Sequence, residues 1–288
     1  MGGCPLWPVN YSKSRAYLQT KELKQDTMTD ISSLAGMPLF LDGDRLIFSN
    51  PADQVGTVRR RVIGSLKDVW MDPALNGEGM VYTTYMDIAR PEDKKSLIAA
   101  SIERGVVVMP PRLYGLEYPK LFGHYHPPVG NTGLSTPEVH SVLQGICHFL
   151  LQKSLPPYDE IEDVILVEAQ AGDVFIVPPN YGHVSINPSG DVLVFDGFLA
   201  RNLNADYEPY RRHRGAAYYE IIGKDGLPEL VANKNYTRLP PIRRVLARDV
   251  PKIECLNSGV CPYEIIVQHL GSFSFLTNPE KYQEEWRF

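Results

Sequence analysis

Three histidines and one glutamate are spaced along this chain in a way that suits a bound metal. His124 and His126 flank Tyr125 in an extended stretch, Gly123-His124-Tyr125-His126. Side chains in such a stretch alternate in direction, so both imidazoles face one way and Tyr125 the other, toward packing. A carboxylate, Glu138, follows a Gly- and Pro-rich loop, and a third imidazole, His183, comes from the distant segment Pro178-Pro179-Asn180-Tyr181-Gly182-His183. Three neutral nitrogens and a carboxylate oxygen suit a divalent transition metal, with positions left open for water or substrate. Such a site polarises a carbonyl and holds a neighbouring hydroxyl, which is what moving a proton or hydride between adjacent carbons requires. Glu138 would be a ligand and a candidate general base. His140 shares its strand face with Glu138, as a second acid–base group, a further ligand or a barrel-lining side chain. The bland reading makes the histidines ordinary strand residues and Glu138 a rim carboxylate paired to Lys120.

Positioning these residues falls to a run of short strands. From Gly105 onward, apolar and β-branched segments are separated by Gly, Pro, Asn and Asp. Strands are expected at Val106–Met109, Tyr118–His126, Asp163–Glu168, Asp173–Val177, His183–Ile186 and Asp191–Leu199. Glu138–Gln152 reads as two strands joined around Gln144-Gly145. Short strands at this spacing predict a mainly β, jelly-roll type of sandwich or barrel. Upstream, Val62, Ile63, Leu66, Val69 and Trp70 recur at helical spacing, so a helix is expected from Arg59 to Trp70. A strand follows at Met80–Ile88, then a helix opened by Pro91-Glu92-Asp93 and running to Ile102. Residues 1–57 read as an N-terminal helical and strand arm, 58–205 as the barrel, and 206–288 as an extension packing on the barrel or on a dimer partner. In that extension, strands are expected at Ala216–Ile222, Leu227–Ala232 and Arg243–Val250, and a short helix at Pro279–Trp286.

Composition narrows the function classes. At 288 residues the chain can bury a full core, and 43% hydrophobic with 22% charged residues is ordinary for a globular protein. A net charge of -5 argues against a nucleic-acid partner. The basic clusters Arg59-Arg60-Arg61 and Arg211-Arg212-His213-Arg214 read as surface charge or as anion sites. No apolar run approaches the roughly 20 residues that span a bilayer, and Met1–Leu6 lacks a secretory pattern, so no membrane partner and a cytoplasmic location are expected. Cys4, Cys147, Cys255 and Cys261 show no CxxC spacing and are expected to be reduced. His148, His213 and His269 fall outside the motif, and Asn187 reads as a structural turn residue.

The ordered set G-H-Y-H, E-V-H-S-V-L-Q-G, A-G-D-V-F-I-V-P-P and Y-G-H-V-S-I-N-P resembles the cupin-type glucose-6-phosphate isomerases, best known from archaea. R-R-R-V-I-G-S-L-K-D-V-W-M-D-P and V-Y-T-T-Y-M-D-I upstream are similar as well, so the resemblance covers about residues 58–205. It implies a cupin jelly roll, usually a homodimer, with His124, His126, Glu138 and His183 as metal ligands. The metal it implies is iron, with zinc, manganese or nickel as substitutes. The implied activity is metal-dependent aldose–ketose isomerisation of glucose 6-phosphate and fructose 6-phosphate, or of a related sugar, in glycolysis and gluconeogenesis. The resemblance also places Gly123 beside the substrate's phosphate. Read from the residues themselves, Glu138 and His140 are the catalytic candidates, and Lys120 and Tyr181 second-tier candidates for substrate contact. A metal cupin oxidoreductase such as a dioxygenase, and a non-catalytic sugar-binding cupin, are the alternatives. Three positions depart from the family pattern: Leu121 and the Val106-Val107-Val108 strand stand where threonines are usual, and His140 stands for a tyrosine. The first two remove hydroxyl donors from the place where a phosphate is expected.

Overall fold

The computed structural model describes residues 28–53, 56–250, 253–257 and 261–282. Cys4 and the start of the expected arm lie outside the described residues, as do residues 283–286 of the expected last helix. The described chain begins with β1 (Thr29–Asp30), the one-turn α1 (Ser32–Ala35), β2 (Leu39–Asp42) and β3 (Arg45–Phe48). The three strands make a small antiparallel sheet. The main body follows as β4 (Val58–Val62), β5 (Met80–Met86), α2 (Lys94–Ala99), β6 (Ile102–Met109), β7 (Glu138–Gln144) and β8 (Ile146–Ser154). It continues through β9 (Ile161–Gln170), β10 (Val174–Val177), β11 (Tyr181–Ile186) and β12 (Leu193–Ala200). Beyond it lie α3 (Glu208–Arg212), β13 (Tyr218–Ile222), β14 (Pro228–Ala232), β15 (Arg243–Leu246) and α4 (Pro262–Gln268).

A six-stranded antiparallel sheet, in the order β10-β7-β12-β6-β5-β4, faces a four-stranded sheet, β11-β8-β9-β15. In the second sheet only β15 runs parallel to its neighbour, β9. The two sheets meet over an aromatic core: Phe149 of β8 lies 4.6 Å from Phe175 of β10 and 5.4 Å from Phe195 of β12, between ring centroids. This is the mainly β jelly roll that the strand spacing predicts.

The larger sheet is buried on its outer face too. There Val106, Val139, Ile176, Val194 and Phe198 pack under Leu39 and Leu41 of β2, and under Tyr263, Ile265 and Phe273 from the C-terminal segment. Burial on both faces is why Val106–Met109 of β6 and Leu193–Phe195 of β12 read as continuous apolar runs rather than alternating ones. A buried ion pair fixes this second layer. The Arg104 guanidinium donates to Asp196 from Nε at 2.8 Å and lies 2.6 Å from it at Nη2. It also sits over the rings of Tyr263 and Phe198, 4.8 Å and 5.4 Å from their centroids.

The expected helix at Arg59–Trp70 is instead the strand β4 followed by a 3-10 turn, Ile63–Leu66. Pairing decides it: Arg59, Arg60 and Arg61 each find a ladder partner on β5, at Thr84, Thr83 and Tyr82. The apolar residues at helical spacing are buried through turns, with the Trp70 indole donating to the Ile63 carbonyl at 3.0 Å. The helix after Pro91 stops at Ala99, because Ser101 adopts φ 56° and Ile102 already belongs to β6. Tyr118–His126 forms single bridges rather than a strand. Gly123 at φ 81° breaks a regular ladder there, and a side chain at this position would also meet the Tyr210 ring, 2.6 Å from a Cβ. In place of a strand over Arg243–Val250, β15 is followed by a 3-10 turn at Ala247–Asp249.

Candidate metal centre

Although His124 and His126 sit on irregular chain, their placement is exact in the sense that matters: two reciprocal backbone hydrogen bonds tie His124 to His183 of β11, at 3.2 Å and 3.0 Å. Their rings stack at 5.2 Å, as the alternation requires, while Tyr125 points away and accepts a hydrogen bond from Gln152. Glu138 opens β7, one strand from Gly197 of β12. One ligand atom from each of His124, His126, Glu138 and His183 lies within 4.8 Å of the others. The four residues singled out in the sequence therefore come together, three of them buried and His124 half-buried.

Tautomers give a test of whether a cation fits this group. His126 Nδ1 donates to the Thr136 carbonyl at 2.8 Å, so its Nε2 carries the lone pair. That Nε2 has no hydrogen-bond partner and faces Glu138 Oε2 at 3.4 Å. His140 repeats the pattern: Nδ1 donates to the Asp196 carbonyl at 3.1 Å, and the bare Nε2 faces Glu138 Oε1 at 3.6 Å. Lone pairs set against a carboxylate in a buried site repel unless a cation or proton stands between them. The His183 Nε2, 3.4 Å from Glu138 Oε2, completes the ring around this carboxylate. The residues fit a divalent metal.

Protonation is also suited to one. Burial would raise the Glu138 carboxyl, but the imidazoles of His140, His126 and His183 together hold it well below the usual carboxylate range. Burial, followed by neighbouring His183 and His126, holds His124 well below its ordinary value of 6.5, and burial lowers His183 as well. Neutral imidazoles and an ionised carboxylate are the ligand forms a metal binds. The same shifts set a pH dependence for the metal-free protein. As pH falls from about 6.5, the unfolded chain takes up protons that buried His124 and His183 refuse. At lower pH the same holds for Glu138, so stability is lost on acidification throughout. Melts in chelator from about pH 7.5 to about pH 5 are expected to show a falling midpoint. A double variant, H124Q/H183Q, should have a shallower slope.

The site opens into a cavity of about 400 Å³ between the sheets. Gly105 and Gly197 lie side by side on neighbouring strands and line it. A Cβ at Gly197 would collide with Glu138 Oε1 and come within 3.1 Å of the His140 ring. Gly197→Ala is therefore expected to lower metal affinity by about 10- to 100-fold, as displacement of a ligand's supports does. At Gly105 the same Cβ meets only the flexible Met86 thioether at 3.2 Å, so Gly105→Ala should bind metal nearly as the parent does. Titration of both chelated variants with metal checks this.

Other sequence expectations separate here. His140 and Gly123 line the cavity. Lys120 does not: it is buried 51 positions from its acceptor, the Val69 carbonyl at 2.7 Å, and paired with Glu117. That pairing also removes the reading of Glu138 as its partner. Tyr181 is likewise turned away, its hydroxyl donating to Asp163 at 2.7 Å. Asn187 holds a turn, donating to the carbonyls of Met109 and Asp191. His148 pairs with Glu220 and His213 with Asp159, both away from the site. Cys147 and Cys261 form no disulfide among the described residues.

Several further residues line the cavity: Tyr82, Thr84, Glu103 and Tyr207, which no motif marks, and Arg59 and Arg61 of the basic cluster, whose anion-site reading this placement suits. Burial, with Asp87 nearby, pushes the Glu103 carboxyl up, giving the cavity a second acid of different character from Glu138. Tyr207 brings its ring to 5.4 Å from His124. Alternation along β4, β5 and β6 places most of them, and the helical reading of β4 hid it.

Two facing β-sheets with a His, His, Glu, His group between them define a cupin fold carrying a candidate metal centre. The family model described as glucose-6-phosphate isomerase (GPI) matches residues 64–238, more than half of the chain, and the chain belongs to that family. No curated protein matches the chain. Among solved structures, oxalate decarboxylase from Bacillus subtilis, studied for its Mn(II) centres, is similar at 22% identity and TM-score 0.30, over 43% of this chain and 27% of that one. The same enzyme at pH 4.6 is similar at 22% identity and TM-score 0.30, over 42% and 26%. The chain thus spans about a quarter of the decarboxylase's length. No described helix is long and apolar enough to cross a membrane.

Proposed function

We propose that the protein is a metal-dependent aldose–ketose isomerase acting on a sugar phosphate, with glucose 6-phosphate and fructose 6-phosphate as the leading pair. The observation that carries the reading is the ionised Glu138 ringed by the imidazole nitrogens of His126, His140 and His183 inside a cavity. Membership of the isomerase family supports it. His124, His126, Glu138 and His183 would hold one divalent ion, iron first by family, with zinc, manganese or nickel as substitutes. When bound, that ion supplies Lewis-acid polarisation of the substrate's carbonyl.

The chain's own residues do the rest. Glu138 is a carboxylate at neutral pH and can accept a proton from the carbon next to the carbonyl. His140, fixed through Nδ1 on the Asp196 carbonyl, presents a bare Nε2 beside Glu138 Oε1 and can take that proton on or return it. Phe149, Phe175 and Phe195 pack around the His140 ring within 5.6 Å and keep water from it. Isomerisation needs the proton carried back to the neighbouring carbon, so a shielded pair serves better than a solvated base. A homodimer in the cytoplasm is part of the same proposal.

A coupled assay with fructose 6-phosphate, run beside an oxygen electrode on metal-loaded protein, tests the reading. Aldose formation without oxygen uptake is the expected result. Oxygen uptake without aldose would favour the dioxygenase alternative, and neither signal would favour a sugar-binding cupin.

A further inference from the structure

The cavity has two chemically different ends. Glu138 and the imidazoles occupy the end at β7 and β11, while the middle of the larger sheet contributes Val107, Phe195, Gly105 and Gly197. At the far edge stands β4, whose alternation turns Arg59 and Arg61 inward and Arg60 outward. Arg60 lines a separate groove with Val58 and Tyr85. Among the residues lining the central cavity, Arg59 and Arg61 are the two with permanent positive charge.

Among the described residues neither forms an ion pair, although Glu103, which also lines the cavity, feels the Arg59 charge. This contrasts with Arg201, which reaches Asp87 at 2.6 Å, and Arg104, which reaches Asp196. Arg61 lies across the ladder from Tyr82, whose phenol ionisation burial pushes up to about 12 against the opposing Arg61 charge. Arg59 lies across from Thr84, which is itself across from Val107 on β6. The hydroxyl missing from the Val106-Val107-Val108 strand is thus available one strand further out, at Thr84. Two guanidiniums and the hydroxyl across the ladder from one of them form a donor set for a dianion, and guanidinium forks suit phosphate oxygens in particular.

We propose that Arg59 and Arg61, with Thr84, anchor the terminal phosphate of the substrate and make this protein specific for phosphorylated over free sugars. The proposal rests on the isomerase reading for the identity of the sugar, though not for the anion itself. Four strand steps separate β4 from β7, roughly 19 Å along the sheet. The long arginine side chains reach back over part of that span. An extended acyclic sugar phosphate can therefore hold its carbonyl end at Glu138 and its phosphate toward β4.

The test uses metal-loaded protein and a probe that does not react. Sorbitol 6-phosphate, sorbitol and inorganic phosphate are titrated into the parent, an R59Q/R61Q double variant and R60Q. Charge-assisted hydrogen bonds lost at two guanidiniums should weaken sorbitol 6-phosphate by about 100-fold or more. Sorbitol binding and metal content should not change, and R60Q should match the parent. Equal affinity for sorbitol 6-phosphate in the parent and the double variant, or no preference of the parent for it over sorbitol, would overturn the proposal. Because the probe has no carbonyl, the outcome is independent of turnover. Isomerase failure with the binding pattern intact would remove only the assigned reaction, whereas turnover without the pattern would remove only the anchor.

Discussion

Replacing His183 with alanine should reduce kcat/KM for sugar-phosphate isomerisation by about 10³-fold or more, with the fold preserved. The estimate takes Lewis-acid polarisation as worth about 4 kcal/mol in the transition state. His183 occupies a buried position on β11, where it joins Glu138 at 3.4 Å and is tied through its backbone to His124. Truncation removes one ligand and also leaves Glu138 without one of the groups that keep it ionised. Because the β11–β8 ladder depends on backbone bonds, strand pairing survives the loss of the imidazole. Circular dichroism that overlays the parent, together with the lost rate, is the expected pair of results. A variant with parental activity would show that His183 is a packing residue.

Arg104→Ala carries the largest expected cost in stability, about 3–5 kcal/mol, typical of a buried charge left without its partner. Arg104 and Asp196 are almost entirely buried, at 0% and 1% side-chain exposure, so solvent cannot stand in for the missing group. The loss reaches the site as well. The Asp196 carbonyl holds His140 Nδ1, its carboxylate takes the Ser141 hydroxyl, and the next residue is Gly197. Urea unfolding of the chelated protein measures the effect. Replacing both partners with apolar residues of similar size, R104M/D196L, should recover much of the loss, since it removes the orphaned charge along with the pair.

Much of this was legible in the chain. Period-two alternation faced His124 and His126 the same way even where no regular strand formed, because the bridges to His183 and Asp206 impose extended backbone residue by residue. Gln144-Gly145 marked the β7–β8 turn for the usual reason, a positive φ of 82° at the glycine. What escaped were contacts set by partners distant in sequence. Val58–Val62 carries helical spacing into Ile63–Trp70, and only pairing with β5 shows that its arginines alternate across a sheet. Lys120 lies three residues before Gly123 and looked like part of the site, yet the Trp70 and Tyr219 rings beneath it and the Glu117 carboxylate draw it into the core. Glu103 stood in no motif at all. Its place in the cavity follows from its register opposite Leu199 on β12.

In the proposed mechanism His124, His126, Glu138 and His183 share one divalent ion. Elemental analysis of chelated, reloaded and desalted protein addresses it most directly. One equivalent of metal per chain in the parent, falling to a small fraction in each of H124A, H126A, E138A and H183A, is the predicted result. Metal retained at parental stoichiometry across those four variants, or absent from the reloaded parent, would contradict it.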